Sequence, residues 1–174
     1  MIRRLIRRLR QGLAGLLAFA RPVDYHAVRA VLTPPEFALF KRMRRSEQHH
    51  AIRVMRALQA RGHVQPALLT AALLHDVGKS RYSLTLFDRT LAVLGHALLP
   101  RRAARWGEGE PRGWRRTFVI HAQHPDWSAE DMLAAGASPL AVALACRHQE
   151  DFNGEPQHEE DRLLLLLKAA DDEC

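Results

Sequence analysis

Five consecutive leucines, Leu163 to Leu167, set the strongest limit on how this chain can fold. A run that is apolar on every side has no face for water, so it belongs at the centre with other elements packed around it. The rest of the chain supplies those elements as helices. Apolar residues recur at three- and four-residue steps, as in Leu69, Leu73 and Leu74 or Leu140 and Leu144, and no segment alternates as a half-buried strand does. Aromatic residues are only 6% of the chain while Leu, Ala and Arg abound, which favours helix over sheet. The expectation is an all-α fold, a compact multi-helix bundle of one domain, with no internal repeat.

Local signals divide the chain. Asp24 caps a short helix reaching about Leu32. Thr33-Pro34-Pro35-Glu36 combines a capping box with proline at the first helical position. The helix it opens runs towards Gly62, with Ser46 as a point of division. Pro66 opens the next, which ends at Gly78, and another covers about Leu84 to Leu99. Residues 100–113, rich in Arg, Gly and Pro, read as a surface loop. A helix from about Trp114 is stopped at His124 by Pro125, and Ser128-Ala129-Glu130-Asp131 caps a new one that ends at Gly136. Ser138-Pro139 starts a helix to His148, and Asn153-Gly154 marks a turn before the leucine run.

Charge is uneven. The net charge is +7, of which residues 1–24 contribute +5 through six arginines against Asp24. The basic character therefore belongs to the N-terminus and gives no strong nucleic-acid signal for the body. Residues 1–22 read as a basic amphipathic helix, with Ile2, Leu5, Ile6, Leu9, Leu13, Leu16 and Leu17 on one stripe. It either packs on the domain (residues 23–174) or lies on an anionic membrane surface. Ala18-Phe19-Ala20 imitates a signal-cleavage site, but Gly12 and Gly15 break the apolar stretch before it. No apolar run is long enough to span a bilayer. Cys146 and Cys174 form no framework and read as free thiols of a reducing compartment. The expected location is the cytoplasm, peripherally at the inner membrane face if the N-terminal helix binds lipid.

Chemistry enters with the histidines, ten in all. His50 shares a helical face with Phe40, Met43, Glu47, Val54 and Leu58, so it points inward. His148 follows Leu140 and Leu144 at four-residue steps. Asp171 follows Leu164 and Leu167 at helical spacing, and His75-Asp76 closes the helix that holds Ala71, Ala72, Leu73 and Leu74. A buried carboxylate is costly unless paired or bound to metal. If these helix ends converge, a divalent cation satisfies all of them, and nitrogen with carboxylate donors suits Mn, Fe, Co, Zn or, less well, Mg.

The run His75-Asp76-Val77-Gly78-Lys79 resembles the signature of the HD superfamily of metal-dependent phosphohydrolases. Upstream, His50 four residues before Val54 is similar to the family's first metal histidine. Downstream, His124-Pro125 with Ala129 and Leu133, then His148-Gln149, then Ala170-Asp171 resemble the remaining ligands. The gaps of 25, 48, 24 and 23 residues fit that family. The resemblance covers about residues 40–172, and the N-terminal third is similar to small bacterial HD-domain proteins. In motif layout the nearest subfamily is HD-GYP, the cyclic-dinucleotide phosphodiesterases. This chain departs from it with Gln149 in place of a paired histidine and with Glu155-Pro156 after Gly154 in place of Gly-Tyr-Pro.

The resemblance implies a phosphohydrolase or phosphodiesterase that cleaves a nucleotide or another phosphate ester with metal-activated water. It implies His50, His75, Asp76, His124, His148 and Asp171 as metal ligands, and catalytic parts for Asp76 and Lys79. Six donors around one octahedral ion leave no place for water or substrate, so two ions bridged by Asp76 are favoured. The alternative is one ion on His50, His75, Asp76 and Asp171, with His124 and His148 facing the substrate. Lys79 either contacts phosphate or neutralises a helix C-terminus. Arg147 and Gln149 are further substrate-binding candidates. His121 shares a face with His124 and stands behind it, and His49 points away from His50 as a surface residue. A competing reading is a non-catalytic signalling or scaffold module that keeps the fold.

Overall fold

The computed structural model describes residues 22–152 and 155–174. The expected N-terminal helix therefore lies outside the described residues, apart from Pro22. Among the described residues every regular element is helical: α1 (Tyr25–Arg29), α2 (Pro34–Arg42), α3 (Arg45–Ala60), α4 (Pro66–Leu74), α5 (Leu86–Leu98), α6 (Pro100–Trp106), α7 (Arg116–Ala134), α8 (Pro139–Arg147) and α9 (Glu159–Glu173). Two 3-10 turns, Val77–Arg81 and Gly113–Arg115, complete them.

The start signals act as their chemistry dictates. The Asp24 carboxylate accepts from the Ala27 amide at 3.1 Å. Glu36 accepts from both the backbone and the hydroxyl of Thr33, at 2.7 and 2.8 Å. The helix opened at Thr33 divides, as Ser46 suggests, with the break just before it at Met43 and Arg44. Met43 and Arg44 are both extended, and the Gln48 amide, buried in the break, donates to the carbonyl of Phe40 at 3.0 Å. The Phe40 carbonyl, which also accepts from the Met43 amide at 3.2 Å, thereby takes a second donor at the helix end. Phe40 and Met43 are consequently buried from a different helix than His50, Val54 and Leu58, and do not form one continuous face with them.

Two further expectations are corrected. Residues 100–113 are not all loop: Pro100 at the first position opens α6, and the helix formers Ala103 and Ala104 carry it to Trp106. Nor does Pro125 stop a helix. α7 runs through it for 19 residues, with Pro125 buried inside. Ser128, read as a cap, lies mid-helix; its hydroxyl donates to the carbonyl of His75 at 2.7 Å and accepts from the Gly78 amide at 2.9 Å. The expected end holds, because Gly136 adopts φ +79°, a left-handed conformation that suits glycine.

The core lies between α2, α3, α4, α8 and α9, built on Phe40, Met55, Leu58, Leu73, Leu144, Leu164 and Leu167. Each such side chain contributes about 2 kcal/mol by leaving water. Of the leucine run, Leu164 and Leu167 are fully buried and Leu165 and Leu166 half-buried, so α9 is central on one side only. α4 is buried from Leu68 to Leu74 and delivers His75 and Asp76 into the interior. Cys146 and Cys174 are free and half-buried.

Candidate metal centre

Five helices deliver donors to one point. His75 follows α4 directly, His148 follows α8, Asp171 lies in the last turn of α9, and His50 and His124 sit within α3 and α7. The two helix-end histidines use the same local device. His75 donates through Nδ1 to the carbonyl of Ala72 at 3.1 Å, and His148 to that of Ala145 at 2.7 Å. Each ring thereby satisfies a carbonyl that its own helix end leaves open. His124 Nδ1 likewise faces the carbonyls of Ile120 and His121, at 3.0 and 2.9 Å. A carbonyl only accepts, so Nδ1 carries the proton in each ring. Burial keeps His124 and His148 neutral with a bare lone pair on Nε2, whereas at His75 burial is outweighed by Asp76 and Asp171, which raise it to about 9.

The Nε2 atoms converge on Asp76. Its Oδ1 lies 3.1 Å from His124 Nε2 and 3.8 Å from the Nε2 of both His75 and His148. Asp171 Oδ1 is 2.7 Å from His50 Nε2 and 3.6 Å from His75 Nε2. Two triads are each compact enough to grip one ion: His50, His75 and Asp171, and His75, Asp76 and His148. His75, Asp76, His124 and His148 are buried, whereas His50 and Asp171 are half-buried.

Electrostatics favour a cation here. Burial, and then the charge of His75, pushes His148 down to about 3. Burial and Lys79 also lower His124. At neutral pH neither ring supplies a proton to the other, although their Nε2 atoms are 3.2 Å apart. Two lone pairs and a carboxylate oxygen at this spacing repel unless a positive centre lies among them. Burial opposes charge on Asp76, but Lys79 and His75 outweigh it and hold the carboxyl well below its usual range. Asp171 is held low in the same way, burial being overcome by its bonds to His50 and His75. The C-terminal ends of α4, α8 and α9 meet here as well, and their dipoles add negative potential. The donor set fits a divalent metal.

The other expected residues fall on both sides of this point. Lys79 Nζ is 2.7 Å from Asp76 Oδ1. The exposed Gln149 amide is 3.5 Å from His124 Nε2, at an open edge of the site. Arg147 is engaged elsewhere: its guanidinium binds Glu150 at 2.9 Å, Asp161 at 3.2 Å, and Glu160. His121 is exposed, stacks on His96 at 4.3 Å between ring centroids, and meets His124 through its carbonyl and through an edge contact of the rings at 6.2 Å. His49 is half-buried rather than on the surface.

Three supporting residues escape sequence reading. Ser128 ties the His75 carbonyl to the Gly78 amide. Lys168 donates to the carbonyl of His148 at 3.1 Å and to that of Glu150. Gly78 lets α7 approach closely: a Cβ there would lie 2.4 Å from the His124 carbonyl oxygen. Only the glycine is marked in advance, by its place in the motif.

A cluster of histidines from four helices around a His-Asp dyad makes this an all-α protein with a site that could hold a metal ion. The chain belongs to the HD domain family, whose sequence model matches residues 48–173. No curated protein and no solved structure matches it significantly.

Proposed function

We propose that this chain is a metal-dependent phosphohydrolase that cleaves a nucleotide or another phosphate ester. The observation that carries the reading is the approach of three Nε2 atoms to one buried carboxylate oxygen, each ring locked by its own Nδ1 bond. A bound cation would satisfy the rings and both carboxylates together. His50, His75, Asp76 and Asp171 would hold one ion, and His124 and His148 a second that shares Asp76. When bound, such ions polarise phosphoryl oxygens and make water a competent nucleophile at neutral pH.

The chain's own groups do the rest. Lys79 Nζ, partly exposed beside Asp76, contacts a non-bridging phosphate oxygen as a point charge. The Gln149 amide donates to the substrate at the open edge. The burial of His75, His124 and His148 excludes bulk water from behind the reacting group.

A second reading is favoured by the ion pair between Lys79 and Asp76, because the chain itself then supplies the cation that the buried carboxylate requires. On that reading the protein is a non-catalytic module. Elemental analysis of the purified chain, with hydrolysis of bis-p-nitrophenyl phosphate, separates the two. The phosphohydrolase reading expects stoichiometric metal and turnover, both lost in His75→Ala and Asp76→Ala. Turnover that survives in either variant refutes it, and a constant ratio of one ion per chain removes the shared-carboxylate arrangement.

A further inference from the structure

The exposed apolar surface is concentrated on one helix. Of the ten large hydrophobic side chains exposed among the described residues, five are Phe87, Val93, Leu94, Leu98 and Leu99, on α5 or directly after it. Phe87 and Leu98 are 72% and 73% exposed. Phe87, Leu94 and Leu98 fall within about 40° of one another on the helical wheel, so they form one stripe. Thr90 and Ala97 continue the exposed face without adding charge. A solvent-facing helix ordinarily carries charges on that side, and a contiguous apolar patch marks a contact. The opposite flank is accounted for: Asp88 and Gly95 are buried, and a Cβ on Gly95 would strike the Phe118 ring of α7.

Cations follow immediately. α6 presents Arg101, Arg102 and Arg105, all exposed, with no carboxylate partner among the described residues. We propose that the solvent face of α5, with these arginines, docks on an anionic lipid bilayer, the helix lying in the plane of the interface. A neutral apolar stripe ending in cations matches the boundary between acyl chains and acidic headgroups. No helix among the described residues is long and apolar enough to cross a membrane, so this contact is peripheral.

Charge selects the bilayer over the other occupants. Residues 1–21 carry six arginines and no acid, so folding them onto this edge would gather like charges. A second copy of the chain would cover the stripe but leave the arginines unanswered. An acidic surface answers both basic regions at once. The candidate metal centre lies behind this face, on the opposite side of α5: His96, half a turn round the helix from the stripe, stacks on His121, whose ring is 6.2 Å from that of His124. The inference stands without the phosphohydrolase reading.

The test uses the full chain with Cys146→Ser, Cys174→Ser and Leu94→Cys, labelled with an environment-sensitive dye. It is mixed with vesicles of phosphatidylcholine alone or of phosphatidylcholine with phosphatidylserine. Co-sedimentation and a blue shift of the dye are expected with the acidic vesicles only. In the unlabelled chain, Phe87→Ser with Leu94→Ser and Leu98→Ser should weaken co-sedimentation by roughly tenfold at unchanged helical content. Three outcomes would overturn the proposal. One is no sedimentation. Another is sedimentation without a dye shift, which assigns binding to residues 1–21 alone. The third is a lipid-free dimer in which the dye is already shielded.

Discussion

The Nδ1–H of His124 stands in for the backbone N–H that Pro125 lacks. In an unbroken helix the carbonyl of His121 accepts from the amide of residue 125, but a proline has none to give. His124 Nδ1 lies 2.9 Å from that oxygen, and this bond fixes the ring so that Nε2 faces Asp76 Oδ1 at 3.1 Å. In Pro125→Ala the restored amide competes for the His121 carbonyl, leaving the bond to Ile120 as the ring's main anchor. Helix propensity improves, so the melting temperature should hold or rise. Metal affinity should fall by about tenfold, the lower end for removal of a group that orients a ligand. Competition titration against a chelating dye, with thermal unfolding alongside, checks both; unchanged affinity sinks the argument.

Gly78 brings a second expectation. Its Cα stands so close to α7 that an added Cβ would meet the His124 carbonyl oxygen at 2.4 Å and the Ser128 amide nitrogen at 2.7 Å. Both are backbone atoms of a buried helix and cannot swing aside. Gly78→Ala should therefore push the turn Val77–Arg81 off α7, stretch the Ser128 bonds, and cost about 2–3 kcal/mol as overpacking does. Chemical denaturation would show this as a lower midpoint at constant slope. An alanine variant as stable as the parent would mean that the two backbones separate more readily than their packing implies.

The inward placing of His148 and Asp171 was legible in helix phase, whereas His124 and the His75-Asp76 pair were marked by the family motif. Position 148 follows Leu140 and Leu144, and position 171 follows Leu164 and Leu167. The all-α class followed equally from periodicity and from caps such as Thr33 with Glu36. Where the local reading and the structure part, the usual reason is a side-chain partner that the local signal does not show. Pro125 reads as a stop, and a neighbouring imidazole removes its penalty. Ser128 reads as a cap, and residues some fifty positions earlier claim its hydroxyl. Arg147 reads as a phosphate contact until Glu160 and Asp161 fold beside it. Pro100 reads as loop punctuation because the arginines and glycines around it outweigh its value at the first turn of a helix.

Acid should expose a different weak point. The Arg116 guanidinium beside Asp88, with the Thr85 bonds, outweighs burial and holds the Asp88 carboxyl well below its ordinary value of 3.8. A depressed carboxylate contributes stability above its unfolded pKa and loses it as pH falls through the folded one. This pair should therefore contribute fully at neutral pH and fade below about pH 4. Asp88→Asn should unfold earlier than the parent at pH 7, and the gap should narrow in acid. Melting curves across that range decide it: a gap independent of pH would assign the loss to the Thr85 cap rather than to the charge.

Arg147 separates a structural role from a substrate role. Its guanidinium joins the end of α8 to the start of α9 through Glu160 and Asp161, and to the following turn through Glu150. These bonds set the segment that carries His148 against the helix that carries Asp171. Removing them in Arg147→Gln should lower the melting temperature by a few degrees while leaving the Nε2 donors in place. Were Arg147 a phosphate contact, the same variant would raise KM for a phosphodiester at constant stability. The partners in hand predict the reverse: a lower melting temperature, KM within about twofold of the parent, and partial recovery with Arg147→Lys, which keeps one of the three ion pairs at a time. A higher KM with an unchanged melting temperature would return Arg147 to the substrate.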